Sequence, residues 1–248
     1  MDTTFAGFTS RDLAFLADLR ANNDRDWFAA HRAAYDDGLK PALGALIAAL
    51  SAEFAARGVP LSGDPRASQF RLHRDTRFSK DKRPYKTHVS ATLTRVKPDG
   101  SHDRMAPGMA YVHIEPAAPG PDPDALHDDP HGHGPFAAAG FYLDERPHID
   151  AVRAAIAADP AGWGRVETSL AAAGLRLDPG APVKRMPKGF EDHAGGALEP
   201  ALKRTRWIVS RPLTDAEVRS PDLPRLIADF VASARPLLDF GWKALDGR

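Results

Sequence analysis

Apolar residues change their spacing twice along this chain. Over roughly the first sixty positions they recur with a helical period, through the middle they alternate, and toward the end the helical period returns. Thr9 or Ser10 can cap a first helix with Leu13, Leu16 and Leu19 on one side. Asn22-Asn23 interrupts it, and one of the two can cap a second helix in which Trp27, His31 and Tyr35 fall at i, i+4 and i+8 and share a face. A third helix carries Leu39, Leu43, Leu46, Ile47, Leu50 and Phe54 and stops at Gly58 and Pro60. Val89, Ala91 and Leu93 then alternate with Ser90, Thr92 and Thr94, the period of a strand with one buried face. Further strands are predicted at 109–115 and 136–143, with a short one at 70–73, and short connections favour antiparallel pairing. Residues 116–135 break the pattern as a long Pro/Gly/Asp/His loop.

The second helical region begins at Pro147, with Ile149, Val152 and Ile156, and stops at Asp159-Pro160. Trp163, Val166 and Leu170 predict the next helix, closed by Gly174. Residues 180–200 read as irregular and 206–209 as a strand. Ser220-Pro221 reads as a cap followed by a first-turn proline, ahead of Leu223, Leu226, Ile227, Phe230 and Val231. No internal repeat and no linker interrupts the series. The expected fold is α+β: one domain over 1–248, a mainly antiparallel central sheet, and helices from both the N-terminal and C-terminal regions packed on it.

Charge alters this picture in one place. Lys plus Arg equals Asp plus Glu, 33 each, so the chain as a whole predicts no attraction to nucleic acid or membrane. Between Arg71 and Lys86, however, seven Lys/Arg face two Asp, a local net of +5. Phe78 and Tyr85 interleave with the cations and Pro84 stiffens the run. Arg71, Arg74 and Arg77 offer planar forks suited to phosphate or carboxylate, Lys80, Lys82, Arg83 and Lys86 can steer such a group, and Tyr85 can hydrogen-bond or stack. Three readings follow: a small anionic or phosphorylated ligand held in a basic cleft; a non-enzymatic module docking RNA or an acidic protein through the same loop; and a structural loop of Arg–Asp pairs. The nucleic-acid reading rests on charge alone, because no RRM, KH or helix-turn-helix pattern accompanies it.

Other chemistry is sparse. With no cysteine, a disulfide framework, a thiolate metal site and a Cys nucleophile are all excluded. There is no Walker loop, GxGxxG, HExxH or nucleophile elbow, so no cofactor and no metal are expected. His127, Asp128, Asp129, His131 and His133 are of the types that bind zinc or other divalent ions, but among Pro and Gly they read first as a surface stretch with adventitious binding. Asp75 and His193 are the candidate proton carriers if catalysis occurs, although Asp192-His193 reads first as a turn. Lys184, Arg185 and Lys188 would add charge to the cleft if 184–193 folds beside 71–88. Asn22, Asn23, Arg25, Asp26 and His31 can line the same cleft, with helix capping the simpler role for the Asn pair and core burial for Trp27 and Phe28. The N-terminus lacks the basic-then-apolar order of a secretory signal and no apolar run reaches about 20 residues, so a cytoplasmic location without membrane contact is expected.

The segment FRLHRDTRFSKDKRPYKTH, residues 70–88, resembles the central motif of the domain-of-unknown-function 2461 family, FR-x-x-RD-x-RFSKDK-x-PYK-T. Residues 22–28 resemble that family's NN-x-R-x-WF, with Tyr35 in place after them. Met186-Pro187-Lys188-Gly189-Phe190 with Asp192-His193 resembles its PKG-[FY]…DH. Gly140-Phe141-Tyr142 and Pro236-Leu237 also fit, so the resemblance covers nearly the whole chain. Ala194 departs from a frequent proline, and the stretch near 121–134 looks like an insertion. The resemblance implies membership and no established activity.

Overall fold

A computed structural model describes residues 4–77, 80–96, 103–117 and 134–247. Helix α1 (Ser10–Ala21) starts at Thr9, whose hydroxyl and Asp12 form a reciprocal capping box. Helix α2 (Arg25–Ala33) is capped by Asp24, which accepts from the backbone N–H of Asp26 and Trp27. Neither asparagine caps α2. Asn22 ends α1, and Asn23 reaches across the fold to Tyr85. A π-helical turn (Ala34–Leu39) joins α2 directly to α3 (Lys40–Ala56), with the Lys40 N–H donating to the Tyr35 carbonyl. The continuous helix Arg25–Ala56 is long and apolar enough by composition to cross a bilayer. Its apolar residues Leu43, Leu46, Ile47, Leu50 and Phe54 are instead buried where α3 meets strand β1 (Val89–Thr94) and helix α8 (Leu223–Ser233).

Strands β1, β2 (Met109–Ile114), β3 (Phe136–Tyr142) and β4 (Arg206–Pro212) form one antiparallel sheet in chain order. Alternation gives it two unlike faces. Val89, Ala91, Leu93, Val112, Ile114, Phe141, Trp207 and Val209 supply the apolar face, on which α3, α8 and α9 (Arg235–Asp246) lie. The opposite face carries Ser90, Thr92, Thr94, Tyr111 and His113. The Gly140-Phe141-Tyr142 stretch has a steric reason at its glycine: φ is +136°, and a Cβ there would lie 2.1 Å from the Trp207 carbonyl oxygen of the neighbouring strand.

Between β3 and β4 run α4 (Arg146–Ala158), α5 (Pro160–Ala172) and the short α6 (Glu199–Leu202); α7 (Asp215–Val218) follows β4. Helices from both ends of the chain therefore cover one sheet, the expected α+β arrangement. Two expectations need correction. Residues 70–73 form only isolated bridges, because Gln69 pairs with β1 while His73 pairs with Tyr85, so the segment switches partner midway. Helix α8 begins at Leu223 rather than at Pro221, with the Ser220 hydroxyl accepting from the Asp222 N–H.

Both outer strands have company along their free sides. Residues 62–70 run beside β1, where Ser62 and Thr94 exchange N–H···O bonds and the Phe70 N–H donates to Ser90. On the far side, Leu177 bridges Val209 of β4 and the Asp178 N–H donates to Ile208.

Candidate functional site

The basic segment folds largely onto itself. Residues 72–74 and 84–86 pair as a narrow ribbon, with the Arg74 N–H on the Pro84 carbonyl and the Lys86 N–H on the Leu72 carbonyl. Two Asp-x-Arg units then turn back on themselves. Asp75 accepts from the backbone N–H of Arg77 and pairs with its guanidinium at 2.7 Å. Asp81 does the same for Arg83 at 3.0 Å, and also pairs with Arg74. This is Asx-turn geometry with a charged fork added. Lys82 donates to the Thr76 carbonyl, and Lys80 is exposed. Three of the predicted anion-binding arginines, 74, 77 and 83, are thus matched to carboxylates. Asp75 is no proton carrier near neutrality: its hydrogen bonds from Arg77 hold the carboxyl down at about 2.

Arg71 and Tyr85 do line a cleft, one of about 690 Å³ between α2, the π turn and residues 66–73. Its other cations come from elsewhere in the sequence: Arg25 and Arg32 of α2, Lys40, Arg66 and Arg104. Asp36 is the single carboxylate among the lining residues, and Arg32 pairs with it at 2.8 Å. Among the described residues, Arg25, Arg66, Arg71 and Arg104 have no carboxylate within ion-pair distance. The floor is aromatic, with Phe28 stacked on Tyr85 at 4.3 Å and His73 edge-on to Tyr85 at 4.9 Å.

Each part of this cleft is held by a nameable contact. Asn23 grips the Tyr85 peptide from both sides, its Nδ2 donating to the carbonyl (2.9 Å) and its Oδ1 accepting from the N–H (3.0 Å). The NN-x-R-x-WF and PYK stretches are therefore one structural unit. The π turn brings Tyr35 and Asp36 to the cleft together, and burial followed by the charge of Asp36 raises the Tyr35 phenol. Arg104 is set by Thr92, whose hydroxyl donates to the Arg104 carbonyl at 2.8 Å, and its guanidinium lies 5.5 Å from the centre of the Phe70 ring. Lys86 sits over the same ring, 5.4 Å away. Burial first, then Arg71, Arg104 and Arg74, lower the Lys86 ammonium from its usual value.

Lys188 and His193 lie elsewhere. Neither lines the cleft, and residues 177–178 of the same connection pair with β4, whereas 62–70 runs beside β1 at the other edge of the sheet. Among the described residues, no hydrogen bond, ion pair or ring contact joins 184–193 to 71–88. The expected convergence is not seen among the described residues.

A second cluster stands at the end of the sheet's polar face. His88 directly precedes β1, His113 ends the polar-face series of β2, and Glu115 follows two residues later. Since Val89 pairs with Ile114, continuing the register sets His88 opposite Glu115 on the same face as His113. One ligand atom from each of the three lies within 4.8 Å of the others. The Glu115 carboxylate is held by Arg20 at 2.9 Å and by the Gly134 N–H at 3.0 Å.

Sequence patterning missed much of this. Arg66 and Arg104 carry no motif and reach the cleft only through tertiary contacts. For His113 and Glu115 the signal was present, since two ligand-type residues at i and i+2 of a strand must share a face. The His/Asp-rich stretch at 127–133 lies outside the described residues, as do Phe78 and Ser79.

A family model described as a conserved hypothetical protein, DUF2461, matches residues 11–120 and 126–240. No curated protein and no solved structure matches the chain.

Proposed function

Since the chain belongs to the DUF2461 family of conserved hypothetical proteins, whose description names no activity, we propose from the cleft itself that it binds a small anionic ligand, phosphorylated or carboxylated. One observation carries the reading. Four arginines, 25, 66, 71 and 104, surround a single cleft without a matching carboxylate among the described residues, in a chain whose charges balance overall. Like charges so gathered repel one another, and a bound anion removes that repulsion while accepting charge-assisted hydrogen bonds. The ligand enters between α2 and residues 66–71, meets the guanidinium forks at the rim and rests against the aromatic floor. This is a binding function, and no group in the cleft is assigned a catalytic step.

Calorimetry and thermal shift with pyrophosphate, sugar phosphates and nucleotides test it. A charge-assisted hydrogen bond contributes about 1.5–3 kcal/mol, so Arg71→Ala and Arg104→Ala should each weaken binding roughly tenfold or more. Lys188→Ala, outside the lining of the cleft, should bind as the parent does. Flat responses to every anion, or equal losses from Lys188→Ala and Arg71→Ala, would refute the proposal. The cleft is open, which favours a second reading as a docking site for RNA or an acidic protein. A polyanion would then bind with a steep salt dependence that a single small anion lacks.

A further inference from the structure

We propose that His88, His113 and Glu115 form a binding site for one divalent transition-metal ion of the zinc class, separate from the anion cleft. Two imidazoles and a carboxylate are the donor set that such ions take in sites keeping a coordination position open for water or substrate. The sheet sets the arrangement: His113 lies in β2, and Glu115 and His88 are the residues just beyond the ends of β2 and β1, on the same face by continuation of the register.

The distances suit an ion after a small closure. Ligand atoms about 2.0–2.1 Å from a tetrahedral centre are roughly 3.4 Å apart. Here they lie within 4.8 Å of one another, and the two imidazole centroids are 4.0 Å apart with planes inclined at 32°. Rotation of the side chains by about an ångström brings the three donors onto one centre while the rings splay.

Outer contacts select the ligand atoms. The Tyr111 hydroxyl is 3.3 Å from His113 Nδ1, which leaves Nε2 as the inward nitrogen, 3.6 Å from Glu115 Oε1. Arg20 holds Oε2 of the same carboxylate, and Oε1, which accepts from the Gly134 N–H at 3.0 Å, faces the imidazole of His113 and keeps a second lone pair for an ion. Hydrogen-bonded first ligands of this kind are the usual surroundings of a metal ion. His113 and Glu115 are both over nine-tenths buried, so an ion here is enclosed rather than adsorbed.

Cobalt(II) titration of the intact protein tests the proposal, because visible absorption reports low-coordinate His/carboxylate ligation directly. One equivalent should bind and give a d–d band, and zinc should displace it. His88→Ala and His113→Asn should each abolish the band while circular dichroism shows them folded. Joint replacement of His127, His131 and His133 by Asn should leave it unchanged. If a variant fails to fold, competition decides: stoichiometric zinc must protect His88 and His113 from diethyl pyrocarbonate in the parent protein. Absence of a band at several equivalents, its loss with the 127/131/133 replacement, or unprotected histidines would overturn the assignment.

Discussion

Asn23→Ala should be among the most damaging single changes outside the core. The Asn23 side chain closes two hydrogen bonds on one peptide, that of Tyr85, whose ring is buried against Phe28. Truncation leaves a donor and an acceptor unmatched at the junction of α2 with the ribbon. An unmatched buried polar group costs about 1–3 kcal/mol, and this junction is partly reached by solvent, so about 1–1.5 kcal/mol each and 2–3 kcal/mol in total is expected. For a chain of this size that lowers Tm by roughly 4–12 °C. Asn22→Ala supplies the comparison, because Asn22 donates only to the Asp18 carbonyl at an exposed helix end and its loss should cost under about 1 kcal/mol. Urea unfolding followed by circular dichroism would measure both. If the two variants lose equal stability, or Asn23→Ala loses less than about 0.5 kcal/mol, the clamp does not hold the cleft together as described.

Two further expectations concern the frame around the site. Gly241 of α9 is pressed on β3, where an added Cβ would lie 2.2 Å from the Phe141 ring; Gly241→Ala should therefore destabilise by about 1–3 kcal/mol despite alanine's better helix propensity, as thermal denaturation would show. Arg95 forks onto Asp246 at 2.7 and 2.8 Å, joining the end of β1 to α9, and its hydrogen bonds lower the Asp246 carboxyl. A carboxyl lowered on folding stabilises above its ordinary value of about 3.9, and that contribution disappears as pH falls through the lowered value. Half-exposed, the pair should contribute less than about 1 kcal/mol, so the stability difference between the parent and Asp246→Asn should be small at pH 6 and vanish once the pH falls below the lowered value.

Periodicity revealed the elements that bury a stripe or a face: α1, α3, α4, α5 and all four strands stand close to where their apolar residues predict them. It missed α9, although Leu237, Leu238 and Trp242 form a helical stripe and Pro236 occupies its first turn. It also missed the π turn, since Tyr35, Asp36 and Gly38 are neutral to helix type and the wide turn is set by packing on both sides. For the site, net charge located the right neighbourhood and misjudged the participants. Counting +5 over 71–86 treats every side chain as outward-facing, whereas the Asp-x-Arg spacing already encodes two self-neutralising turns. Among the cations left unmatched, Arg25, Arg71 and Arg104 have no acid at i−2, whereas Arg66 has Asp64 there, which takes only its backbone N–H, and the grouping of all four depends on folding α2, 66–71 and 104 together. Neither local pattern nor composition contains that.

The segment at 62–70 is both a wall of the cleft and a guard rail. Laid along β1, it occupies N–H and C=O groups that would otherwise be available to an incoming chain. A change that evicts this stretch from its seat would empty the cleft and expose a bare strand border in one step. Loss of ligand binding and the onset of self-association should accordingly be seen in the same variants.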